Sequence, residues 1–229
     1  MRYFKKLITV YETESTMELA KEIAKFVEPP FVLRAYRQSK GRGQYGRFWY
    51  SPMGGLYFTE VVQLENILGF STFLSIPVVR VLRKYVEDVQ VKWPNDIVVG
   101  RRKLGGILVN RSDYTYAGIG INVKNDLGPY GENSTRIFDF SSVDIELLFL
   151  EILDEEEHLL KEFVEGGFKS FVEEYNSYLA FLKKPVQIES KGKVVSGIVT
   201  STGENGELLL ETVNGIESVF IGTVIGFYR

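Results

Sequence analysis

A glycine-rich, basic segment between residues 39 and 55 restricts the folds that this chain can adopt. Its sequence, SKGRGQYGRFWYSPMGG, contains a G-x-G-x-x-G pattern at Gly41, Gly43 and Gly46 and follows a predicted strand, FVLRAY. In a dinucleotide-binding fold such a pattern leads into a helix. Here aromatic residues, a proline and further glycines follow instead, and then a second predicted strand, LYFTEVVQ. The segment is therefore predicted to join two strands, which disfavours a Rossmann fold.

Histidine and cysteine usage removes several classes of active site. A protein-kinase glycine loop requires an H-R-D motif elsewhere, but the sole histidine, His158, lies in EILDEEEHLLKEF. One imidazole on a charged helix is expected to be solvated, and it has no partner motif for a zinc site or a Ser-His-Asp triad. The absence of cysteine excludes disulfides and thiolate metal sites and fits a reducing cytoplasm.

Positive charge is concentrated in the same part of an otherwise acidic chain. The net charge is −3, yet residues 29–59 contain no Asp or Glu and carry Arg34, Arg37, Lys40, Arg42 and Arg47. A glycine-rich backbone lets N–H groups approach an anion closely. The segment therefore predicts a site for a phosphate or carboxylate. The alternative is a solvated hairpin that grips RNA through basic and aromatic side chains.

Hydrophobic periodicity predicts alternating helices and strands up to about residue 182. A helix over 15–26 has Leu19, Ile23, Phe26 and Val27 on one face, and its Ser15 and Glu18 have the spacing of a capping box. Three further helices are predicted over residues 70–88, with Pro77 near the start, 143–165 and 167–181. Strands are predicted at residues 5–11, 31–36 and 56–63 and in the runs VQVKW, DIVV, GILV and YAGIGINV.

The pattern changes after FLKKP, where five short β-rich runs follow within residues 185–229. The runs are PVQIES, VVSGIVTS, ELLLETV, ESVFIG and VIGFY, separated by turn signals such as GENG. Such spacing is typical of a small barrel. We therefore predict two domains, residues 1–182 and 183–229. The N-terminus has no long apolar run, so we expect neither a signal peptide nor a membrane span, and a cytoplasmic location.

Polar residues lie at the ends of several predicted strands, where site residues tend to occur. KWPND (92–96) places Lys92, Asn95 and Asp96 around a turn, KLGG (103–106) places Lys103 before two glycines, and GIGIN ends on Asn122. Each motif has a simpler interpretation. KWPND is also consistent with a plain turn that buries Trp93, and KLGG with a charged turn.

Taken together, these motifs resemble the biotin protein ligases, also called biotin–[acetyl-CoA-carboxylase] ligases. The matching pieces occur in the family's order: EST, RQSKGRGQYGRFWYSPMGGLYF, KWPNDIVV, KLGGILV and GIGINV. The C-terminal β-rich unit is similar to the family's small SH3-like domain. The resemblance therefore covers essentially the whole chain, and the combination of motifs is specific although each alone is not.

The resemblance implies a fold and a two-step reaction. The fold is α+β, with a mixed β-sheet and flanking helices, related to the class II aminoacyl-tRNA synthetases, plus a C-terminal SH3-like β-barrel. In the reaction, the biotin carboxylate attacks the α-phosphate of ATP to give biotinyl-5′-AMP and pyrophosphate, and Mg²⁺ is required. A lysine of a biotin carboxyl carrier domain then attacks the adenylate. The resemblance also implies a homodimer.

The resemblance also assigns roles to residues of this sequence. Arg42, Lys103 and Asp96 would be catalytic, the first two by offsetting anionic repulsion and Asp96 by orienting the acceptor lysine or taking its proton. A second set of residues, which partly overlaps with the first, would bind the two substrates. Those for biotin are Ser15, Thr16, Gln38, Gly41, Arg42, Gly43, Lys103 and Gly106, and those for the nucleotide are Gln44, Arg47, Trp49, Asn95 and Asn122.

The chain departs from the family pattern at named positions. Glu14 and Met17 stand where the family has aspartate and asparagine around the S-T pair, and Gln44 replaces the second arginine of the glycine-rich loop. The strand pattern begins near residue 5, so we expect no N-terminal helix-turn-helix and no DNA binding. The alternatives are a lipoate–protein ligase of the same fold, whose loop would carry a histidine, and a non-enzymatic nucleic-acid-binding module.

Overall fold

The computed structural model describes residues 3–190 and 192–227. The helices are α1 (Thr16–Ile23), α2 (Phe70–Leu82), α3 (Ile145–Gly166) and α4 (Val172–Tyr178). The strands of the N-terminal part are β1 (Leu7–Thr13), β2 (Phe31–Gln38), β3 (Leu56–Val62), β4 (Val89–Lys92), β5 (Asp96–Val99), β6 (Arg102–Arg111) and β7 (Thr115–Ile121). The C-terminal strands are β8 (Pro185–Ser190), β9 (Lys193–Thr202), β10 (Leu208–Thr212), β11 (Gly215–Val219) and β12 (Thr223–Phe227). The predicted last strand extends to Tyr228, which lies outside the described residues.

Two sheets organise the described part of the chain. The larger has seven strands in the order β1-β2-β3-β7-β6-β5-β4, and only its β1–β2 pair is parallel. Helices α2 and α3 pack on one face, where the main hydrophobic core lies, and α1 packs on the other face over β2, β3 and β7. This mixed sheet with flanking helices is the predicted α+β architecture, which is confirmed.

The C-terminal strands form a second, antiparallel sheet of five strands in the order β11-β10-β9-β8-β12. Its edge strands β11 and β12 do not pair within residues 192–227, so the predicted small β-rich unit is present without closing into a barrel. The sheet is anchored to the larger unit through the β9–β10 hairpin. There the Trp93 indole, 1% exposed, donates a hydrogen bond to the Gly206 carbonyl at 2.9 Å.

Local predictions for the helices were wrong in several details. Ser15 is the N-cap of α1, but its side chain makes no capping hydrogen bond, so the predicted capping box does not form. Helix α1 ends at Ile23, which leaves Phe26 beyond it and 88% exposed. Pro77 lies inside α2, and the predicted helix over 167–181 is a 3-10 turn, Phe168–Phe171, followed by the short α4. These features depend on tertiary packing rather than on local spacing.

His158 behaves as the sequence predicts. It lies on the exposed face of α3, with its Nδ1 atom 2.6 Å from the Asp154 carbonyl oxygen and 3.9 Å from the Asp154 carboxylate. Among the described residues, no helix combines the length and apolar character needed to span a lipid bilayer.

Two carboxyl groups are buried together beneath α3. Glu60 on β3 and Glu156 on α3 are both 0% exposed, and their four oxygens lack a hydrogen bond to any other group in the described residues. Burial raises the pKa of Glu156 to about 7. Burial also raises the pKa of Glu60 well above its usual range, and the neighbouring Glu156 carboxyl raises it further. Glu157 and Tyr3 are the other titratable groups that interact with the pair. Burial therefore favours the protonated form of both carboxyls.

This pair predicts an unusual dependence of stability on pH. A carboxyl whose pKa is raised in the folded state stabilises the fold while protonated, and this contribution falls as the pH rises from about 4.5 to 7. We expect Glu156→Gln to raise the free energy of unfolding at pH 8 by about 1–3 kcal/mol, since each unit of pKa shift corresponds to about 1.4 kcal/mol. Urea titrations at pH 5 and pH 8 measure the difference. Glu162→Gln, an exposed change on the same helix, is the control, and a gain from Glu156→Gln at pH 8 no larger than at pH 5 contradicts the account.

Candidate active site

A row of cross-strand neighbours forms the floor of a cavity on the α1 side of the larger sheet. Lys92 on β4 pairs with Asp96 on β5, Asp96 with Gly106 on β6, and Gly106 with Gly120 on β7. Directly paired residues of antiparallel strands point to the same face. Because Gly106 and Gly120 have no side chain, the row is a trough with charged groups at its β4 end.

The cavity above this trough has a volume of about 260 Å³. Side chains of both the sheet and the 39–55 segment surround it. Its apolar wall is formed by Met17, Phe58, Ile107, Leu108, Ile119 and Leu127, and its polar and aromatic wall includes Ser15, Thr16, Gln38, Arg42, Gln44, Arg47, Trp49, Tyr50, Asn95, Asp96, Lys103, Asn122, Asn125, Tyr130 and Ser134.

The glycine-rich segment folds back over the cavity as a hairpin. Gln38 pairs with Ser51 and Arg42 with Phe48, and the Trp49 amide donates to the Gly41 carbonyl at 2.9 Å. The turn of the hairpin has a left-handed residue, Tyr45, with φ 56°. The segment is thus neither the strand–helix loop of a dinucleotide-binding fold nor an open coil, and we name it the flap (residues 39–51).

Trp49 is the flap residue that packs directly against the sheet, at Gly120. A Cβ atom built on Gly120 would lie 2.5 Å from the Trp49 Nε1 atom, so only glycine permits the indole to lie against β7 at this point. The same Nε1 atom is buried and has no hydrogen-bond partner among the described residues. A buried donor without a partner is costly, so this N–H group is available to a ligand that fills the cavity.

Uncharged polar groups form a connected network at the α1 end of the cavity. The Thr59 hydroxyl donates to the Thr16 hydroxyl at 2.9 Å, and Gln38 Oε1 accepts from the Thr16 amide at 2.7 Å and from its hydroxyl at 3.0 Å. Gln38 Nε2 in turn donates to the Ser51 hydroxyl at 3.0 Å. These bonds fix the Gln38 amide, while the Ser15 hydroxyl, 3% exposed, makes no side-chain hydrogen bond within the described chain.

Charged groups are brought together at the opposite end by an irregularity in β6. The register between β5 and β6 shifts after Ile97, so Lys103 and Gly106, three residues apart, face the same side. Lys103 Nζ lies 2.5 Å from Asp96 Oδ1 and 5.1 Å from the centroid of the Trp49 ring. The Asn95 amide donates to the Ile107 carbonyl and thereby fixes the turn that carries Asp96.

A second group of amides closes the cavity beside the nucleotide-binding residues predicted from the sequence. The Asn122 amide donates to the Thr135 carbonyl at 3.1 Å, and the Asn125 amide donates to Asn122 Oδ1 at 3.2 Å. Both asparagines are buried. They hold the loop that follows β7 against the start of β6, where Lys103 and Ser134 form an isolated bridge.

Several cationic side chains of the flap region form ion pairs that the local sequence does not predict. Acidic residues of β1, of α1 and of the segment between them neutralise part of the positive charge: Arg37 pairs with Glu12 at 2.6 Å, Lys40 with Glu14 at 2.6 Å, and Arg42 with Glu18 at 3.1 Å. Arg34 likewise pairs with Glu146 at 2.5 Å, so tertiary contacts supply the carboxylates that are missing locally. Arg47, by contrast, makes no ion pair with any described residue and stacks on Tyr45 at 5.7 Å.

Most residues predicted from the sequence meet at the cavity, although this placement does not test their individual roles. One differs: Gly41 does not line the cavity, and its importance is steric, since a Cβ atom there would lie 2.4 Å from the Trp49 carbonyl oxygen. Gly118 and Gly120 also line the cavity and were not predicted, although glycines two apart in a predicted strand indicate a close approach. Four further lining residues lie in irregular segments without a motif: Tyr50, Asn125, Tyr130 and Ser134.

The arrangement suits an elongated ligand with an uncharged polar head and an anionic end. The head would meet hydroxyl and amide groups near Ser15, the middle would lie on the glycine floor, and the anion would meet Lys103 and the flap arginines. Within residues 3–190 and 192–227, no cluster of three or more His, Asp or Glu side chains is arranged to hold a metal ion, and Asp96 is the one carboxylate that lines the cavity.

Comparison with protein families and curated sequences gives a consistent result. Residues 9–125 match the model of the biotin/lipoate A/B protein ligase family. The bifunctional ligase/repressor BirA of Escherichia coli is 31% identical over 81% of this chain, and its counterpart from Salmonella typhimurium is 31% identical over 76%. The chain spans 62% and 59% of the length of these two relatives.

Comparison with solved structures extends the similarity to the whole described fold. A biotin protein ligase from Aquifex aeolicus, solved in complex with biotin and ATP, has a TM-score of 0.89 and 31% identity, covering 99% of this chain and 100% of that chain. A biotin protein ligase from Leishmania major in complex with biotinyl-5-AMP has a TM-score of 0.68 at 22% identity, which shows the shared fold.

The glycine floor yields a test that needs no ligand. Gly120→Ala is expected to push the Trp49 indole off β7 towards solvent, which shifts tryptophan emission to longer wavelength. Because the only other tryptophan, Trp93, is 1% exposed and its indole is bonded to the Gly206 carbonyl, its emission is expected to stay constant. The free energy of unfolding is expected to fall by about 1–3 kcal/mol, the usual cost of overpacking.

Gly131→Ala is the matched control, because a Cβ atom there would have its nearest contact at 3.6 Å. It should leave both the emission spectrum and the stability unchanged. Identical spectra for Gly120→Ala and the native chain would show that Trp49 does not rest on the floor.

Proposed function

We propose a specific activity for this chain, which belongs to the biotin/lipoate A/B protein ligase family. The activity is that of an ATP-dependent biotin–protein ligase. It forms biotinyl-5′-AMP and pyrophosphate from biotin and ATP, and then transfers the biotinyl group to a lysine of a biotin carboxyl carrier protein domain.

The observation that carries this proposal is the polarity of the cavity along its length. Biotin has an uncharged ureido ring at one end and a carboxylate at the other. The hydroxyl and amide groups of Ser15, Thr16 and Gln38 suit the ring, and Lys103 suits the carboxylate. The biotin protein ligase from Aquifex aeolicus, which shares the fold and was solved with biotin and ATP, supports the choice of these two substrates.

The charged end of the cavity explains how the first step becomes feasible. The biotin carboxylate and the α-phosphate are both anionic, so their approach needs fixed positive charge, which also stabilises the charge of the transition state. Lys103 is held by Asp96 and by the Trp49 ring, and Arg42 and Arg47 are carried by the flap. Closure of the flap then excludes water from the adenylate.

The remaining substrate contacts follow from the same orientation. Gly106 lies under the biotin ring system and the flap backbone at Gly43 borders it, while Gly41 permits the close approach of the two flap strands. The adenylate meets Gln44, Trp49, Asn95 and Asn122, with the buried Trp49 N–H group as a donor.

The donor set fits a Mg²⁺ ion that arrives with ATP. Mg²⁺ in nucleotide sites is usually bound by one or two carboxylates together with substrate phosphates. Asp96 is the carboxylate of this cavity, and its second oxygen is not used by Lys103. When bound, the ion offsets phosphate charge.

Asp96 also acts in the second step of the proposed reaction. Once pyrophosphate has left, the Asp96 carboxylate can orient the ammonium of the incoming lysine or accept a proton from it. The carrier domain is the macromolecular partner in this proposal. The homodimer stays a prediction from the resemblance, and the cytoplasmic location and the absence of DNA binding stay predictions from the sequence.

Pyrophosphate release from ATP distinguishes this function from its rivals. We expect biotin to stimulate release by the purified chain, while lipoate and RNA do not. Stimulation by lipoate alone would establish the lipoate–protein ligase. No stimulation by either acid, together with tight RNA binding, would favour the nucleic-acid-binding module.

Lys103 is the residue whose change should affect adenylation most. Removing one preorganised charged donor typically costs about 3–4 kcal/mol of barrier, so Lys103→Ala should slow biotin-dependent pyrophosphate release by roughly 10²–10³-fold. Asp96→Asn removes the same ion pair but leaves the ammonium in the cavity. It should therefore slow adenylation less, because the asparagine amide oxygen remains a possible ligand of a Mg²⁺ ion bound mainly by phosphates, while impairing transfer from supplied biotinyl-AMP; equal loss in both steps would instead show that Mg²⁺ depends on the Asp96 carboxylate.

The comparison between these variants separates chemistry from structure. If the Lys103–Asp96 pair only stabilises the turn, both variants lose activity equally in both steps. Lys84→Ala, which removes an exposed ammonium 3.6 Å from Glu151, is the control and should change neither step. Release at the native rate by Lys103→Ala would contradict the proposed role.

A further inference from the structure

The buried pair of carboxyl groups beneath α3 lies directly behind the uncharged end of the cavity. Glu60 on β3 pairs with Val32 on β2 and with Ala117 on β7, and both partners belong to the main core on the α3 side. The preceding residue, Thr59, points to the opposite face because side chains alternate along a strand. There its hydroxyl donates to Thr16 and supports the network of uncharged groups. One strand therefore connects the carboxyl pair to the site.

The pair depends on its own protons for hydrogen bonding. Glu60 and Glu156 are 0% exposed, and no donor within residues 3–190 and 192–227 reaches any of their four oxygens. Burying a carboxylate without a hydrogen-bond donor is costly. A protonated carboxyl, by contrast, can donate to its neighbour, and Glu156 lies within hydrogen-bonding reach of Glu60. The contact between α3 and β3 is therefore satisfied only while the pair carries a proton.

The charged groups around the pair do not offset its negative charge when it ionises. Glu157 of α3 adds a carboxylate, and Tyr3 of the N-terminal segment interacts with both glutamates. The cations of the neighbouring elements, Arg34 on β2 and Arg80 on α2, form ion pairs with other carboxylates of α3 and α4. Burial raises the pKa of Glu156 to about 7, and Glu157 adds to the shift. The pair thus changes its charge around neutral pH.

We propose that Glu60 and Glu156 form a pH-dependent latch between β3 and α3, which supports the uncharged end of the cavity. The latch is closed while the pair is protonated. As the pair ionises, α3 loosens from β3 and water reaches the carboxylates, because desolvation and mutual repulsion both oppose their burial. Loosening on one face of β3 displaces Thr59 on the other face, so the site binds its ligand less tightly at higher pH.

A second contact carries the same change to the cavity wall. Phe58 lies two residues before Glu60 on β3, and its ring packs against Phe149 of α3 with the ring centroids 5.1 Å apart. Phe149 and Glu156 are about two helical turns apart, so both face the sheet. Phe58 also lines the cavity. A movement of α3 at the latch is therefore transmitted to the cavity through Phe58 as well as through Thr59.

Hydrogen exchange of the full chain without ligand tests the latch itself. The protection of the α3 amides around Glu156, corrected for intrinsic exchange rates, should fall by about 3–10-fold between pH 6 and pH 8.5. Glu156→Gln keeps a hydrogen-bond donor and cannot ionise, so its α3 protection should be the same at both pH values. Two exposed changes on α3 are the controls and should behave as the native chain: Glu162→Gln, and His158→Gln, which removes an imidazole that can also change its charge in this range.

Biotin binding tests whether the latch acts on the site, and this part of the inference rests on the proposed function. Calorimetry with the native chain should give a dissociation constant about 3–10-fold higher at pH 8.5 than at pH 6, because the apparent constant rises as the competent fraction falls. Glu156→Gln should bind biotin equally well at both pH values. A native affinity that is independent of pH, or a Glu156→Gln affinity that follows the native pH dependence, would overturn the coupling.

The exchange experiment also decides the latch independently of the proposed function. Equal α3 protection at pH 6 and pH 8.5 in the native chain, or the same loss of protection in Glu156→Gln, would overturn the latch. If Glu156→Gln does not fold, Glu60→Gln carries the same comparison, because it also keeps a donor and removes one ionisable group. A folded native chain that binds no biotin at either pH would refute the proposed function, while the exchange result would still stand.

Discussion

Two glycines side by side in the middle of a seven-stranded sheet make this site. Gly106 and Gly120 are direct partners on β6 and β7, and they open a trough where side chains would otherwise fill the face. Trp49 lies against one of them, and a Cβ atom on Gly106 would lie 3.3 Å from the Lys103 side chain. The Trp49 indole depends most on that missing volume, because it lies where a Cβ atom on Gly120 would be, and the Lys103 side chain lies close to the position of a Cβ atom on Gly106.

Local features of β5 and β6 fix the charged side chains at one end of the trough. The β-bulge of β6 turns Lys103 onto the cavity face, and the Asp96 turn is fixed by the Asn95–Ile107 hydrogen bond. Behind that turn, the buried Trp93 indole is bonded to the β9–β10 hairpin of the C-terminal sheet. The small sheet thus supports the charged end of the site from behind.

The sequence predicted the order and type of most elements because their periodicity is regular, and it located the site because its motifs fall at strand ends. It did not predict the partners of charged groups. Glu12, Glu14 and Glu18 reach the flap only after β1 pairs with β2, and no local pattern records that pairing. The predicted Ser15 cap is also absent, and Ser15 lines the cavity instead. The local sequence gives no sign that Glu60 of β3 is buried close to Glu156 of α3.

The most direct test of biotin ligation by this chain is the mass of an acceptor domain after incubation with the chain, ATP and an equimolar mixture of biotin and lipoate. For a biotin–protein ligase we expect the mass of a biotin carboxyl carrier domain to increase by one biotinyl group on a single lysine, and only when ATP is present. A lipoyl increment, or an unmodified carrier in the presence of a folded chain, would contradict it.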